Sequence, residues 1–170
     1  MLSSPTANKR FSSRQAVFVL GGMTVFVVYA GLFVIALIIQ FVLHWGDPFQ
    51  NGWVVDSLAG SAAVALLNML LWWLFVVMPR STRLERATLA GILCGVLAPT
   101  VLALVNLFFG WLVRGYFLNY QGQPSTSWQD MISWPLIAWP VASTVLFGWF
   151  TLLVSILLDR WMVGQIDGKQ

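Results

Sequence analysis

The chain has 170 residues, 59% of them hydrophobic and 9% charged, with a net charge of +3 and a mean hydropathy of +0.81. An average soluble domain carries roughly 25% charged residues, so this composition excludes a water-soluble globular fold. Anionic headgroups and charge asymmetry across a bilayer account for the small positive charge, which implies no nucleic-acid partner.

The charges leave four uncharged windows, Gln15–Gly46, Ser57–Pro79, Ala87–Val113 and Met131–Leu158. Each exceeds the roughly 20 apolar residues that cross a hydrocarbon core about 30 Å thick. Barrel strands alternate apolar and polar residues, and these windows do not. The sequence therefore predicts an all-α integral membrane protein, a compact bundle of four transmembrane helices. A basic tail at 1–15 precedes the membrane domain at 16–160, and a second tail follows at 161–170.

Helix 1 is predicted at about 16–43. Lys9, Arg10 and Arg14 form a positive leader before it, but the apolar run is longer than that of a signal peptide and is expected to remain as a span. It ends in the turn-rich segment His44-Trp45-Gly46-Asp47-Pro48. Helix 2, at about 57–78, is stopped by Pro79, which has no backbone N–H to donate. Thr82 and Glu85 have capping-box spacing ahead of helix 3, at about 87–113, and the tight loop makes helices 2 and 3 antiparallel neighbours.

The connection from Arg114 to Trp134 is the longest, and Tyr116, Phe117, Tyr120, Trp128 and Met131 make it too apolar for a free linker. Trp128, Met131, Ile132 and Pro135 share one helical face, with Ser127 and Asp130 placed as a cap. This pattern predicts a short interfacial helix in the outer loop, leading into helix 4 at about 135–158. Pro135 suits a first turn, whereas Pro140 should kink the helix.

Orientation follows from the basic residues. Lys9, Arg10, Arg14, Arg80, Arg83, Arg86, Arg160 and Lys169 fall on one side of a four-span chain, and Arg114 alone falls on the other. The positive-inside bias places both termini in the cytoplasm. Trp45, Trp53, Trp111, Trp128, Trp134 and Trp161 lie near predicted span ends as an aromatic belt, while Trp72, Trp73, Trp139 and Trp149 lie deeper.

Helix 3 carries Ala87, Gly91, Gly95, Pro99 and Ala103 at intervals of four, helix 2 carries Ser57, Ser61, Ala65 and Asn68, and helix 4 carries Thr144, Gly148, Thr151 and Ser155. Small residues at this spacing let helix backbones approach in lipid, so Ala87, Gly91, Gly95, Ser61, Ala65 and Gly148 are the predicted packing residues, with helix 3 central. Asn68 and Asn106 need partners, since an unpaired amide in hydrocarbon costs several kcal/mol, and the expectation is that they bond to each other.

No charged residue falls inside the four predicted spans, which disfavours carriers that work through an intramembrane charge. Cys94 stands alone, so no intrachain disulfide forms. One histidine, His44, cannot supply two haem ligands, and no nucleophile motif, phosphate loop or HExxH is present. Catalysis by the chain alone and a resident metal are not expected.

The leading reading is a non-catalytic accessory or assembly subunit of a larger complex in a bacterial inner membrane. It would act through helix packing and through outer-loop contacts at Tyr116, Phe117, Tyr120, Trp128 and Met131. Its partners would be the lipid bilayer and other membrane subunits. The alternative is a membrane-embedded binding module for lipid, quinone, carotenoid or chlorophyll, with His44, Asn68, Asn106 and Trp139 as the candidate site. The sequence requires no cofactor, and bound lipid or pigment belongs to this second reading. A third reading, a small channel or facilitator, needs a polar stripe through the bundle.

Overall fold

The computed structural model describes residues 12–42, 53–80, 83–118 and 123–166, and a few side chains within these ranges lie outside the description. The described residues form the α-helices α1 (Ser13–Leu37), α2 (Trp53–Trp72), α3 (Leu84–Arg114), α4 (Trp128–Met131) and α5 (Trp139–Gln165). Wider π-helical turns extend α1 over Ile38–Val42 and α2 over Trp73–Val77, and a longer one, Ile132–Ala138, joins α4 to α5. Strands β1 (Phe117–Leu118) and β2 (Pro124–Ser125) pair antiparallel in a small hairpin. The protein is mostly helical, and three stretches, Arg14–Val42, Val54–Val77 and Leu84–Val113, are long and apolar enough to cross a membrane.

Local chemistry sets the helix ends. Ser12 caps α1 by accepting from the Gln15 amide at 3.3 Å, while the Gln15 side chain accepts from the Ser12 amide at 3.0 Å. This capping box starts α1 ahead of the predicted Ala16. At the end of α2, the Met78 amide donates to the Trp73 carbonyl five residues back, at 2.8 Å, and Arg80 adopts a left-handed φ of 49°. Pro79 sits between them and prevents the helix from continuing. α3 ends at Gly115, whose φ of 76° favours a residue without a Cβ.

Two predicted starts differ from the structure. Thr82 lies outside the described residues, and the N-cap position of α3 is held by Arg83, without a side-chain cap. The predicted interfacial helix is not a separate element. The four residues of α4 continue through the π-helical stretch into α5, so the last helical segment begins at Trp128 rather than near 135 and extends to Gln165 rather than ending at 158. Pro135 lies within the π stretch, and Pro140 is the second residue of α5 beyond it. The irregularity expected at Pro140 appears as this wider turn, which relieves the clash of a proline ring with the preceding turn. Ser127 makes no capping bond. Instead, Ser125 Oγ donates to Asp130 Oδ2 at 2.7 Å and accepts from the Ser127 amide at 3.1 Å.

α3 packs against both α2 and α5, its longest contact being with α5, and α1 packs mainly against α2. Ala16, Val17, Leu20, Trp72, Val76, Ala87, Met162 and Ile166 form one buried cluster, which brings together the starts of α1 and α3 and the ends of α2 and α5. A second cluster deeper along the helices contains Val64, Leu71, Ala90, Cys94 and Ala98. Gly91 and Gly95 lie directly against the α5 backbone. A Cβ on Gly91 would stand 2.8 Å from the Ile156 Cα, and one on Gly95 would collide with Leu152. The close approach lets the Thr151 hydroxyl donate to the Gly95 carbonyl at 2.8 Å.

Candidate functional site: a buried polar layer around Asp159

Asp159 directly follows the uncharged window Met131–Leu158. The structure places it within α5, fully buried, with the Arg160 side chain beside it exposed. The helix therefore runs past the predicted span and carries a buried carboxyl group just beyond it. On a helix each Cα–Cβ bond tilts toward the N-terminus, so the Asp159 carboxyl leans away from the nearby end of α5 and toward the preceding turn at Ser155.

Asn68 and Trp72, one turn apart on α2, are also fully buried. Thr24 on α1 donates to the Leu20 carbonyl at 2.8 Å, so its oxygen is free to accept from Asn68 Nδ2 at 2.9 Å. Asn68 lies beside Asp159, and neither carboxylate oxygen has a hydrogen-bond partner. From α3, the fully buried Cys94 faces α5, the helix that carries Ser155 and Asp159. Side chains from four helices therefore converge on one polar layer between the two apolar clusters.

Four buried atoms in this layer have no hydrogen-bond partner: Asn68 Oδ1, Trp72 Nε1 and both oxygens of Asp159. Buried polar atoms are almost always paired, because losing water without a replacement costs about 1–3 kcal/mol for a neutral group and more for a charged one. Three of these atoms are acceptors and one is a donor. The layer lacks positive charge or protons, not acceptors.

The expected Asn68–Asn106 pair does not form the interhelical link of Asn68, whose amide nitrogen is engaged by Thr24. Asn68 lies level with the Cys94 region of α3, and Asn106 is about 18 Å farther along that helix at 1.5 Å per residue. The side chains of Asn106, Phe117 and Trp139 are outside the description, as are His44 and Tyr120 altogether. Ala87, Ser61 and Ala65 are buried, and Ser61 bonds the Ser57 carbonyl of its own helix at 2.7 Å. Gly148 differs from the predicted packing role. Among the described residues, an added Cβ there would meet Thr144 of the same helix, at 3.4 Å, whereas α5 approaches α3 through Thr151, Leu152 and Ile156. Tyr116 and Met131 are half-buried, and Trp128 is 72% exposed. Among the described residues, no group of three His, Cys, Asp or Glu side chains is arranged to hold a metal.

Sequence reasoning missed Thr24, Trp72 and Asp159 as members of one site. A signal for Asp159 was present, because the helix 4 series Gly148, Thr151, Ser155 continues at spacings of three and four to Asp159 and Met162. That spacing places Asp159 on the packed face. Comparison with known protein families, with curated proteins and with solved structures gives no match.

Proposed function

We propose that the chain is a four-helix transmembrane bundle of a bacterial inner membrane, with α5 as the fourth span and both termini in the cytoplasm. In this reading it serves as a non-catalytic accessory or assembly subunit of a larger membrane complex. Arg14, Arg80, Arg83, Arg86 and Arg160 belong to the helix ends that meet in the first buried cluster, whereas Arg114 lies at the opposite end of α3. Their shared side supports the cytoplasmic assignment through the positive-inside bias.

The observation that carries the subunit reading is Trp149. Its α5 neighbour Thr151 bonds Gly95, which stands about 16 Å along α3 from Leu84, so Trp149 lies near mid-membrane depth. It is 68% exposed, between the exposed Val145 and Leu153. Indoles in membranes concentrate at the headgroup level, and Trp is among the residue types that most often anchor protein interfaces. A bulky indole presented outward at mid-depth fits a partner helix better than hydrocarbon chains. The outer connection, with Trp128 exposed at its end and Tyr116, Phe117, Tyr120 and Met131 around it, would extend the contact beyond the bilayer.

The test compares Trp149→Leu with Phe108→Leu, a change at another exposed apolar position, in gently purified native complexes. Both variants should insert and remain monodisperse. Loss of the co-purifying chains only with Trp149→Leu supports the subunit reading, and equal retention in both removes this face as the contact. Replacing Tyr116, Phe117 and Tyr120 together by Ser should weaken the same association without affecting insertion.

A further inference from the structure

We infer that Asp159, together with Asn68 and Trp72, forms a binding site within the bundle for one small monovalent cation, a proton or a sodium ion. Two side chains from α2 and one from α5 define it, all three fully buried. Met162, one turn beyond Asp159, shares a packed cluster with Trp72, and Asn68 is the polar neighbour of the carboxyl. The four unpartnered atoms belong to three residues, two of them one turn apart on α2.

Charge sets the occupant. A carboxylate withdrawn from water into apolar surroundings needs a compensating positive charge, and among the described residues none is bonded to it. Arg14 and Arg160 are exposed, Arg86 is half-buried, and none of them bonds to either Asp159 oxygen. The buried groups on the helices packed around this part of α5 are Leu20 and Thr24 from α1, Asn68 and Trp72 from α2, and Cys94 from α3, and none of them is a cation. One positive charge neutralises the layer, whereas a divalent ion would leave an uncompensated charge inside it.

Hydrogen-bond arithmetic leads to the same count. A proton on one Asp159 oxygen turns an acceptor into a donor, so the layer passes from three acceptors and one donor to two of each. A sodium ion would instead take oxygen ligands from Asp159 and Asn68. Asp159 lies about 9 Å from the end of α5 at 1.5 Å per residue, so exchange would be with the side carrying the basic residues. This inference is independent of the subunit reading, and it restores to the chain the intramembrane ionisable group that ion-coupled membrane proteins use.

The experiment uses the full chain in lipid nanodiscs at neutral pH, with choline replacing sodium at constant ionic strength. Infrared spectra of wild type and Asp159→Asn are compared, together with thermal unfolding against sodium concentration. A protonated-carboxyl band that is lost in Asp159→Asn and insensitive to sodium identifies the proton. No such band, with an unfolding midpoint that rises with sodium in wild type and stays flat in Asp159→Asn, identifies sodium. Should Asp159→Asn fail to fold, Trp72→Phe keeps a large apolar side chain while removing the indole donor. It should shift the carboxyl band or weaken the sodium response. Neither a protonated-carboxyl band nor a sodium response in wild type would overturn the site.

Discussion

Thr151 on α5 donates to the carbonyl of Gly95 on α3 at 2.8 Å, across the closest helix contact in the protein's described core. The bond exists because Gly95 has no side chain to hold α5 away. A Cβ there would collide with the backbone of Leu152, which cannot swing aside as a flexible side chain can. Close backbone approach of this kind is the main source of helix association where lipid removes the hydrophobic driving force between helices.

The first prediction follows from that contact. Gly95→Ala should destabilise the bundle by about 1–3 kcal/mol through overpacking. Gly91→Ala should act in the same direction, since its Cβ would stand 2.8 Å from Ile156 Cα. Gly22 has open space around it, so Gly22→Ala should be neutral or slightly stabilising. Unfolding in mixed micelles measures all three, and equal tolerance would place the α3–α5 contact elsewhere.

A second prediction concerns the link between α1 and α2. Asn68→Leu and Thr24→Val should each destabilise, and the double change should cost less than their sum. Asn68 Nδ2 and Thr24 Oγ1 share a 2.9 Å bond, so removing one orphans the other. A double-mutant cycle should return a coupling of about 0.6–2 kcal/mol. Additive losses would mean that the two groups do not meet in solution.

Much of this architecture was legible because lipid solvation leaves a strong record in a sequence. Long uncharged runs locate the helices, and Gly91 and Gly95 mark where another helix can approach. The polar layer was less legible because its members come from distant positions, Thr24, Asn68, Trp72, Cys94 and Asp159, brought together only by helix register. Asn68 needs a partner, but one sequence does not give relative helix depth, so the sequence points to Asn106 and does not single out Thr24. The uncharged window ends at Leu158, one residue before Asp159, so a search for uncharged runs passes over it, whereas the helix continues to Gln165 with the carboxyl buried.

The two left-handed positions give a third prediction of opposite sign at its two ends. Gly115 holds φ at 76° where α3 stops, so Gly115→Ala should cost about 1 kcal/mol. Arg80 holds φ at 49° after α2 with a side chain attached, so Arg80→Gly should relieve strain and stabilise by up to about 1 kcal/mol. Melting curves of the two variants should move in opposite directions. Movement in the same direction would remove backbone conformation as the cause.

The central claim is that α5 completes a fourth span and returns the chain to the side from which it started. Single cysteines placed at Ser4, Ser127 and Lys169 in a Cys94→Ala background test it, with an impermeant thiol reagent applied to intact cells. Labelling at position 127 alone, with positions 4 and 169 reacting only after lysis, is the predicted result. Labelling of position 169 in intact cells would mean that α5 does not cross, and would contradict the account.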